Sequence, residues 1–170
     1  MYATSVPGGP PMLGVELLKS MTAVNLLVVP YKGTIQVMTA IVSGESQMTI
    51  NDLGLIMPHA KSGRLRALAV TSLDPTALAP GMPTVAESGL AGFEVTGVTA
   101  AWAPAKTPAA ILTRLNQEIV RHLNRQDVKE RYLSNDMEVV ASTPEQLAAR
   151  QKSDMVKWGK LFSDAGIKPQ

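Results

Sequence analysis

The stretch that decides the fold is Asn25–Thr34, with the sequence NLLVVPYKGT. Leu26–Val29 is a continuous apolar run that contains β-branched residues, which predicts a short buried strand. Pro30 has no N–H group to give to a strand ladder, so the strand is expected to end there. Tyr31–Gly33 then predicts a tight polar turn, because Gly33 tolerates backbone conformations that other residues resist.

Apolar residues after this turn recur at helical spacing, at Ile35, Val37, Met38, Ile41 and Val42. The turn therefore lies at the carboxyl end of a strand and at the amino end of a helix. Free backbone N–H groups and the positive end of the helix dipole meet at such a corner, which is suited to binding small anions. Lys32 adds a mobile positive charge there, and Thr34 adds a hydroxyl group.

The start of the chain has the same pattern of strand, glycine loop and helix. Tyr2–Thr4 predicts a strand, and Ser5–Pro11 predicts a loop rich in Gly and Pro. A helix is expected next, with an apolar stripe at Leu13, Leu17, Leu18 and Met21. Gly8 and Gly9 would open a second anion-binding corner; the alternative is that this glycine pair only makes a turn.

Two further strands are predicted at Gln47–Ile50 and Leu65–Val70, with a helix over Leu53–Ala60 between them. Strands that alternate with single helices imply parallel pairing, and ligands of such sheets bind beyond the carboxyl ends of the strands. Polar and glycine residues at these predicted ends form the candidate ligand site: Ser5, Gly8, Gly9, Tyr31, Lys32, Gly33, Thr34, Asn51, Asp52 and Thr71.

The second half of the chain predicts one helical turn at Thr84–Gly89, three short strands and three amphipathic helices. The strands are expected at Phe93–Val95, Val98–Ala103 and Met137–Val140. The first helix follows an N-cap at Thr107, the second begins at Asp127, and Ser142 or Thr143 caps the third. Their apolar stripes are Ile111, Leu112, Leu115, Ile119, Val120 and Leu123 in the first helix, and Leu147, Met155, Trp158, Leu161 and Phe162 in the third.

Composition excludes several classes of function. The 170 residues are 45% hydrophobic and 18% charged, which is typical of a globular protein. A net charge of +2 without a basic run, and only 4% aromatic residues, argue against nucleic-acid binding. Cysteine is absent, so disulfides and thiolate metal sites are excluded. No apolar stretch reaches the roughly 18 residues of a membrane span, and no signal peptide is predicted in this chain.

Catalytic chemistry has little support in the sequence. His59 and His122 are far apart and lack a partner at metal-ligand spacing, so no metal and no cofactor are expected. Asp52 and Glu94 could serve as an acid and a base, but no motif brings them together. The sequence therefore predicts a site that binds a small organic acid or amino-acid-like carboxylate without reacting, and no catalytic residues. An α/β enzyme is the less favoured alternative.

Several motifs follow one another along the chain: Val29–Gly33, Pro58-His59, Gly63–Thr71, Pro83–Gly89, Ala103-Pro104, Thr107-Pro108, Leu115-Asn116 and Lys157–Lys160. With these motifs the chain resembles the extracytoplasmic solute receptors of tripartite tricarboxylate transporters, the Bug-type periplasmic binding proteins. The resemblance spans essentially the whole chain. It implies an α/β fold of the periplasmic-binding-protein type II kind, with two lobes hinged about a cleft. The cleft would close on a small carboxylate, which membrane transporter subunits then receive.

The resemblance also implies that a segment which family members carry before the Tyr2 position is absent. Residues 1–82 would be the complete second lobe, and residues 83–170 the hinge crossing and the C-terminal portion of the first lobe. The chain is then expected to be a truncated receptor, periplasmic in its full-length form. The alternative is a non-binding remnant that acts as an assembly module. It would form a homodimer or a domain-swapped dimer through the apolar stripe of Ile111–Leu123 together with Trp158, Leu161 and Phe162.

Overall fold

A computed structural model describes residues 1–5, 9–164 and 166. The chain divides into two compact units, residues 1–97 with residues 160–170, and residues 98–159. The elements, in chain order, are β1 (Tyr2–Thr4), α1 (Pro10–Thr22), β2 (Val28–Pro30), α2 (Thr34–Val42), α3 (Leu53–Lys61), α4 (Ala109–Leu123), α5 (Gln126–Leu133) and α6 (Pro144–Asp164). The predicted mixed α/β fold is confirmed, whereas the predicted division at residues 82 and 83 stays a prediction.

The first unit is built on β1, which has a parallel neighbour on each side. It pairs with β2 in the register Tyr2–Val28, Ala3–Val29 and Thr4–Pro30. On its other side Tyr2 forms a parallel bridge with Met48, and the N–H of Ala3 donates to the carbonyl of Met48 at 2.9 Å. The third strand predicted at residues 47–50 is therefore present as this single bridge. The buried strand predicted at Leu26–Val29 is observed at Val28–Pro30, and the prediction of burial was wrong, because Val28 and Val29 are half-buried and Pro30 is exposed. Pro30, which has no N–H group to donate, is the last residue of β2.

Helices α1 and α2 cover this small sheet. Helix α1 joins β1 to β2, and α2 leads from β2 back across β1 to residues 47–50, so right-handed crossovers place the two helices on opposite faces. Their inward residues Val15 and Val37 are fully buried. Gly14 of α1 lies so close to residues 47–50 that a Cβ atom there would stand 2.8 Å from Cδ1 of Ile50. The absence of a side chain at Gly14 therefore allows this close approach.

The side chain of Tyr2 ties three segments of the first unit together. Tyr2 is fully buried, and its hydroxyl donates to the carbonyl of Pro11 at the start of α1. The same oxygen accepts a hydrogen bond from the N–H of Ile50 at 3.2 Å. Burial raises the pKa of Tyr2 well above the ordinary tyrosine value, and the hydrogen bond from Ile50 offsets this only in part.

The other predicted strands are not formed, and those predictions were wrong. Within the described residues, segments 98–103 and 137–140 have no backbone ladder with a neighbouring strand. In the 65–70 segment only Val70 pairs, and its partner is Thr84 of the following segment. Residues 93–95 bond to the chain at Thr71, where the N–H of Val95 donates to the Thr71 carbonyl at 2.8 Å. These apolar runs are therefore irregular connections, because a strand forms only where a partner backbone is available.

The predicted helical turn at Thr84–Gly89 is confirmed and has a structural cause. Thr84 is fully buried, and its hydroxyl accepts from the N–H of Glu87 at 2.9 Å. The Glu87 carboxylate in return accepts from the N–H of Thr84 at 2.9 Å. This reciprocal pair is a capping box, which satisfies two backbone donors at the start of the turn. The PTVAESG motif therefore shapes the backbone here.

The three predicted helices of the second half are confirmed. The first begins at Ala109 with Pro108 as its N-cap, so the cap lies one residue beyond the predicted Thr107. Thr143 caps α6, since its hydroxyl accepts from the N–H of Gln146 at 3.2 Å. Along α6 the predicted core stripe is correct for Leu161, which is buried, and wrong for Met155, which is 69% exposed. No helix within the described residues is long and apolar enough to cross a membrane.

We predict that Tyr2→Phe destabilises the folded chain by about 1–3 kcal/mol at pH 7. The substitution removes both hydrogen bonds of the buried Tyr2 hydroxyl and leaves the part-buried N–H of Ile50 without the acceptor that it has in the folded chain. Urea unfolding followed by circular dichroism measures the change. Tyr132→Phe, in which the parent residue is 37% exposed, is the control and should change the stability by less than about 0.5 kcal/mol.

The wild-type chain should also lose stability as the pH rises above about 10. The pKa of Tyr2 is raised in the folded state, so the unfolded state loses this proton first and is favoured in alkali. The Tyr2→Phe chain lacks this group, and its stability should fall less steeply between pH 10 and pH 11. Equal slopes for the two proteins would contradict the assignment.

Candidate functional site

The first unit brings three predicted site residues to one edge of the sheet. Thr4 lies opposite Pro30 in the register of β1 and β2, and the N–H of Tyr31 donates to the Thr4 carbonyl at 2.8 Å. On the other side of β1, the bridge at Met48 is followed by side-chain bonds: Thr49 Oγ1 donates to the Ala3 carbonyl at 2.9 Å, and the Ile50 N–H donates to the Tyr2 hydroxyl. Ser5, Tyr31 and Asn51 are the residues that come next in these three segments. The loops after β1 and β2 therefore open at one edge of the sheet, as the sequence predicts.

Helices begin at this same edge. Gly33 is the N-cap of α2, and Asp52 is the N-cap of α3. As first-turn residues, Thr34 and Ile35 of α2 have N–H groups without an acceptor inside the helix, and the first residues of α3 are equivalent. The positive ends of both helix dipoles add to the attraction for an anion. Gly33 and Thr34 are thus placed where the sequence predicts.

The first turn of α1 offers fewer donors than the sequence suggested. Gly9 is its N-cap, and the two residues that follow, Pro10 and Pro11, have no N–H group. The next amide, that of Met12, already donates to the Gly9 carbonyl at 3.0 Å. The dipole of α1 still favours negative charge near Gly9, while the available backbone donors concentrate at α2 and α3. Gly8 lies outside the residues that the structure describes.

Thr4 is a candidate residue that the sequence analysis missed. It is 2% exposed, and its Oγ1 is buried with no hydrogen-bond partner among the described residues. Leaving a buried hydroxyl unsatisfied costs about 1–3 kcal/mol, so this group is expected to have a use. A Thr at the last position of a buried strand, directly before a glycine loop, was the signal in the sequence that could have revealed it.

A second unsatisfied polar atom near this edge belongs to the side chain of Asn51. Its Oδ1 accepts a hydrogen bond from the N–H of Asp52 at 3.0 Å. Its Nδ2 is buried and has no partner in the described part of the chain. The side chain of Asp52 is exposed and makes no capping bond to α3. A neutral amide donor thus lies beside the amino end of a helix, which suits a ligand oxygen.

The remaining predicted residues are placed less clearly at the site. Lys32 is exposed on the turn after β2, where its charge can reach the edge. The hydroxyl of Tyr31 donates to Glu45 at 2.8 Å, so it is already engaged. Thr71 donates to the carbonyl of Val95 at 2.8 Å, and no described backbone pairing joins it to the β1–β2 sheet. The predicted fourth strand that would have brought Thr71 to this edge is not formed.

Other features of the described residues do not add a reactive centre. No group of three or more His, Asp or Glu side chains within them could hold a metal ion. A groove of about 380 Å³ is lined by Ile35, Met38, Thr39, Val42, Ser43, His59 and Arg64, mostly residues of α2. The edge, with helix dipoles, amide donors and Lys32, is suited to holding a small anion.

Solved structures similar to this chain are periplasmic binding proteins and their relatives. A protein of R. palustris solved with adipate matches with a TM-score of 0.78 and 31% identity, over 99% of this chain and 56% of that protein. The periplasmic binding protein BugD matches with a TM-score of 0.73 and 30% identity, over 99% and 57%. MatC from Rhodopseudomonas palustris, with bound malate, matches with a TM-score of 0.66 and 26% identity, over 94% and 55%.

Curated relatives give the same result. The UPF0065 protein in the tcbD-tcbE intergenic region of a Pseudomonas species is 36% identical, over 88% of this chain and 45% of its own length. Protein BugT of Bordetella pertussis is 28% identical, over 98% and 51%. The chain therefore spans about half the length of these relatives.

The family model described as tripartite tricarboxylate transporter family receptor matches residues 1–167, nearly the whole chain. This match confirms the resemblance found in the sequence, and it identifies a family of receptors and not of enzymes. The chain belongs to the tripartite tricarboxylate transporter receptor family.

Proposed function

We propose that this chain forms part of an extracytoplasmic receptor that binds a small carboxylate for a tripartite tricarboxylate-type transporter. The observation that supports this most directly is the shared edge of the sheet. Two helix amino ends, at Gly33 and Asp52, and two unpartnered buried polar atoms, of Thr4 and Asn51, are gathered there. These groups are suited to an anion with several acceptor oxygens.

The expected strength of binding agrees with a receptor. A helix end contributes about 0.3–1 kcal/mol to an anion, and up to about 2 kcal/mol when partly buried. Each charge-assisted hydrogen bond adds about 1.5–3 kcal/mol. Four or five such contacts, less the entropy lost on capture, give about −8 kcal/mol, which corresponds to a micromolar dissociation constant.

The relatives support the class of ligand and the location. Adipate is bound in one similar structure and malate in another, and BugD is a periplasmic binding protein. We therefore infer a dicarboxylate or related acid as the ligand, a periplasmic location for the full-length protein, and membrane transporter subunits as its partners. In this proposal residues 1–82 supply one complete lobe, and residues 83–170 supply the C-terminal portion of the other.

A second candidate function is an assembly module that no longer binds ligand, and an exposed face of α4 favours it. Ile111 is 50%, Leu112 37%, Leu115 48% and Ile119 40% exposed along one side of this helix. Apolar faces of this kind are typical of surfaces that contact a partner. We infer a second copy of the chain as that partner. The second surface of this hypothesis, Trp158 with Leu161 and Phe162, is not retained, because Leu161 is buried.

The receptor proposal predicts that the chain binds a small organic acid. A thermal-shift screen with adipate, malate, citrate, nicotinate and amino acids should raise the unfolding midpoint for at least one acid, because a ligand that binds only the folded state stabilises it. The screen is run on this chain and on the complete product of its gene. No shift with any compound, for either protein, would argue strongly against the receptor function.

Thr4→Val should separate binding from stability. The valine removes an unsatisfied buried hydroxyl at nearly constant volume, so unfolding in urea should show equal or higher stability. Affinity for the acid found in the screen should fall by about tenfold, or about 1.4 kcal/mol, if the hydroxyl donates to it. Thr22→Val, at the exposed carboxyl end of α1, is the control and should leave affinity unchanged. Unchanged affinity in Thr4→Val would exclude Thr4 from the site.

The assembly alternative predicts a dimer that depends on α4. Light scattering after size exclusion should give twice the chain mass at high concentration, and the chain mass for the double variant Leu115→Glu with Ile119→Glu, because buried charges oppose association. Gln117→Glu introduces a charge on the same helix, outside the four-residue apolar face, and should remain dimeric. A monomer at high concentration for the unmodified chain would exclude this alternative.

A further inference from the structure

The side-chain amide of Asn51 is oriented by its own backbone neighbour. Its Oδ1 accepts from the N–H of Asp52 at 3.0 Å. Only an acceptor can face that N–H group, so the amide nitrogen must lie on the other side. This Nδ2 is buried and has no acceptor among the residues that the structure describes. Asn51 therefore presents a donor, with no acceptor beside it, to whatever occupies that position.

The position of Asn51 gives this donor a use. Asn51 directly follows Ile50, whose N–H donates to the hydroxyl of Tyr2 on β1, and directly precedes Asp52, the N-cap of α3. Thr4, which is 2% exposed, has its own unpartnered oxygen one residue before the same edge. A carboxylate or carbonyl oxygen would satisfy the Asn51 amide, whereas an ammonium group has only donors and would leave it unsatisfied.

We propose that Asn51 is a specificity-determining residue, which donates to a ligand oxygen and disfavours an amino group at that position. The proposal rests on the proposed receptor function and adds which carboxylates the site prefers. The opposite preference can be introduced at this position with almost no change in the shape of the side chain. In Asn51→Asp one oxygen can still accept from the Asp52 N–H, and the other replaces the donor with a charged acceptor.

Isothermal titration of the 170-residue chain with two matched pairs tests this proposal. The pairs are malate with aspartate and adipate with 2-aminoadipate. Asn51→Asp should weaken binding of both acids at least tenfold, because like charges repel. Aspartate and 2-aminoadipate should lose less affinity, since their ammonium group can turn toward the new carboxylate. The ratio of acid to amino-acid affinity should therefore shift at least tenfold toward the amino acids.

Asn25→Asp is the matched control. It makes the same change of charge at an exposed residue before β2, at the opposite end of the strand from the candidate site. All affinities should stay within twofold of the unmodified chain. Circular dichroism checks the fold of each variant. If Asn51→Asp does not fold, Asn51→Ala replaces it, and the loss of the donor should weaken malate at least fivefold and aspartate less.

The outcomes separate this proposal from the function on which it rests. If the unmodified chain binds the acids and Asn51→Asp has the same affinity ratio as Asn25→Asp, the role of Asn51 is overturned and the receptor function stands. An equal loss of affinity for the acids and the amino acids would also overturn the role of Asn51 and leave the receptor function standing. If neither the unmodified chain nor the complete product of its gene binds any acid of the thermal-shift screen, the receptor function is overturned, and the proposal for Asn51 with it.

Discussion

The parallel pairing of β1 on both of its sides is the constraint on which the first unit depends. Because β1 pairs in parallel with β2 and bridges to Met48 in the same direction, the segments that follow leave the sheet at one edge. Helices that follow parallel strands then direct their amino ends toward that edge. The hydroxyl of Tyr2 holds the same arrangement from inside, by joining β1 to Pro11 and to Ile50.

Polar groups left unsatisfied at this edge oppose stability. Thr4 and Asn51 each contain a buried atom without a partner among the described residues, and each such atom costs free energy in the unliganded protein. Most buried polar groups in native proteins are satisfied. Thr4 and Asn51 are two exceptions near the same edge of the sheet, whereas a third, Nδ1 of His59, belongs to α3 in the wall of the groove. A bound carboxylate would supply the missing acceptor for Asn51 and a partner for Thr4, which makes the site more stable when it is occupied.

In the second unit, apolar side chains of a helix are exposed. Helix α4 is as amphipathic as the sequence indicates, yet its apolar residues Leu115 and Ile119 are 48% and 40% exposed. An apolar stripe predicts burial only if another element lies against it, and the pattern of one helix does not specify which element that is. The exposed stripe and the coverage of about half of each relative are separate observations. Both observations raise the question of which element or partner contacts the apolar face of α4.

Local chemistry by itself determined much of this protein. Pro30, Gly33 and the helical spacing after them were enough to predict a strand near residue 29, a turn and α2, and the pair Ser142 and Thr143 was enough to place the start of α6 within one residue, because these signals act within a few residues. Only the tertiary structure decided which apolar runs became strands. Val70 pairs with Thr84, whereas residues 98–103 and 137–140 pair with no strand in the described part of the chain, since strand pairing depends on a second segment of backbone. Tertiary structure also revealed Thr4 and the orientation of Asn51, because whether a polar atom is satisfied depends on neighbours that sequence spacing does not name.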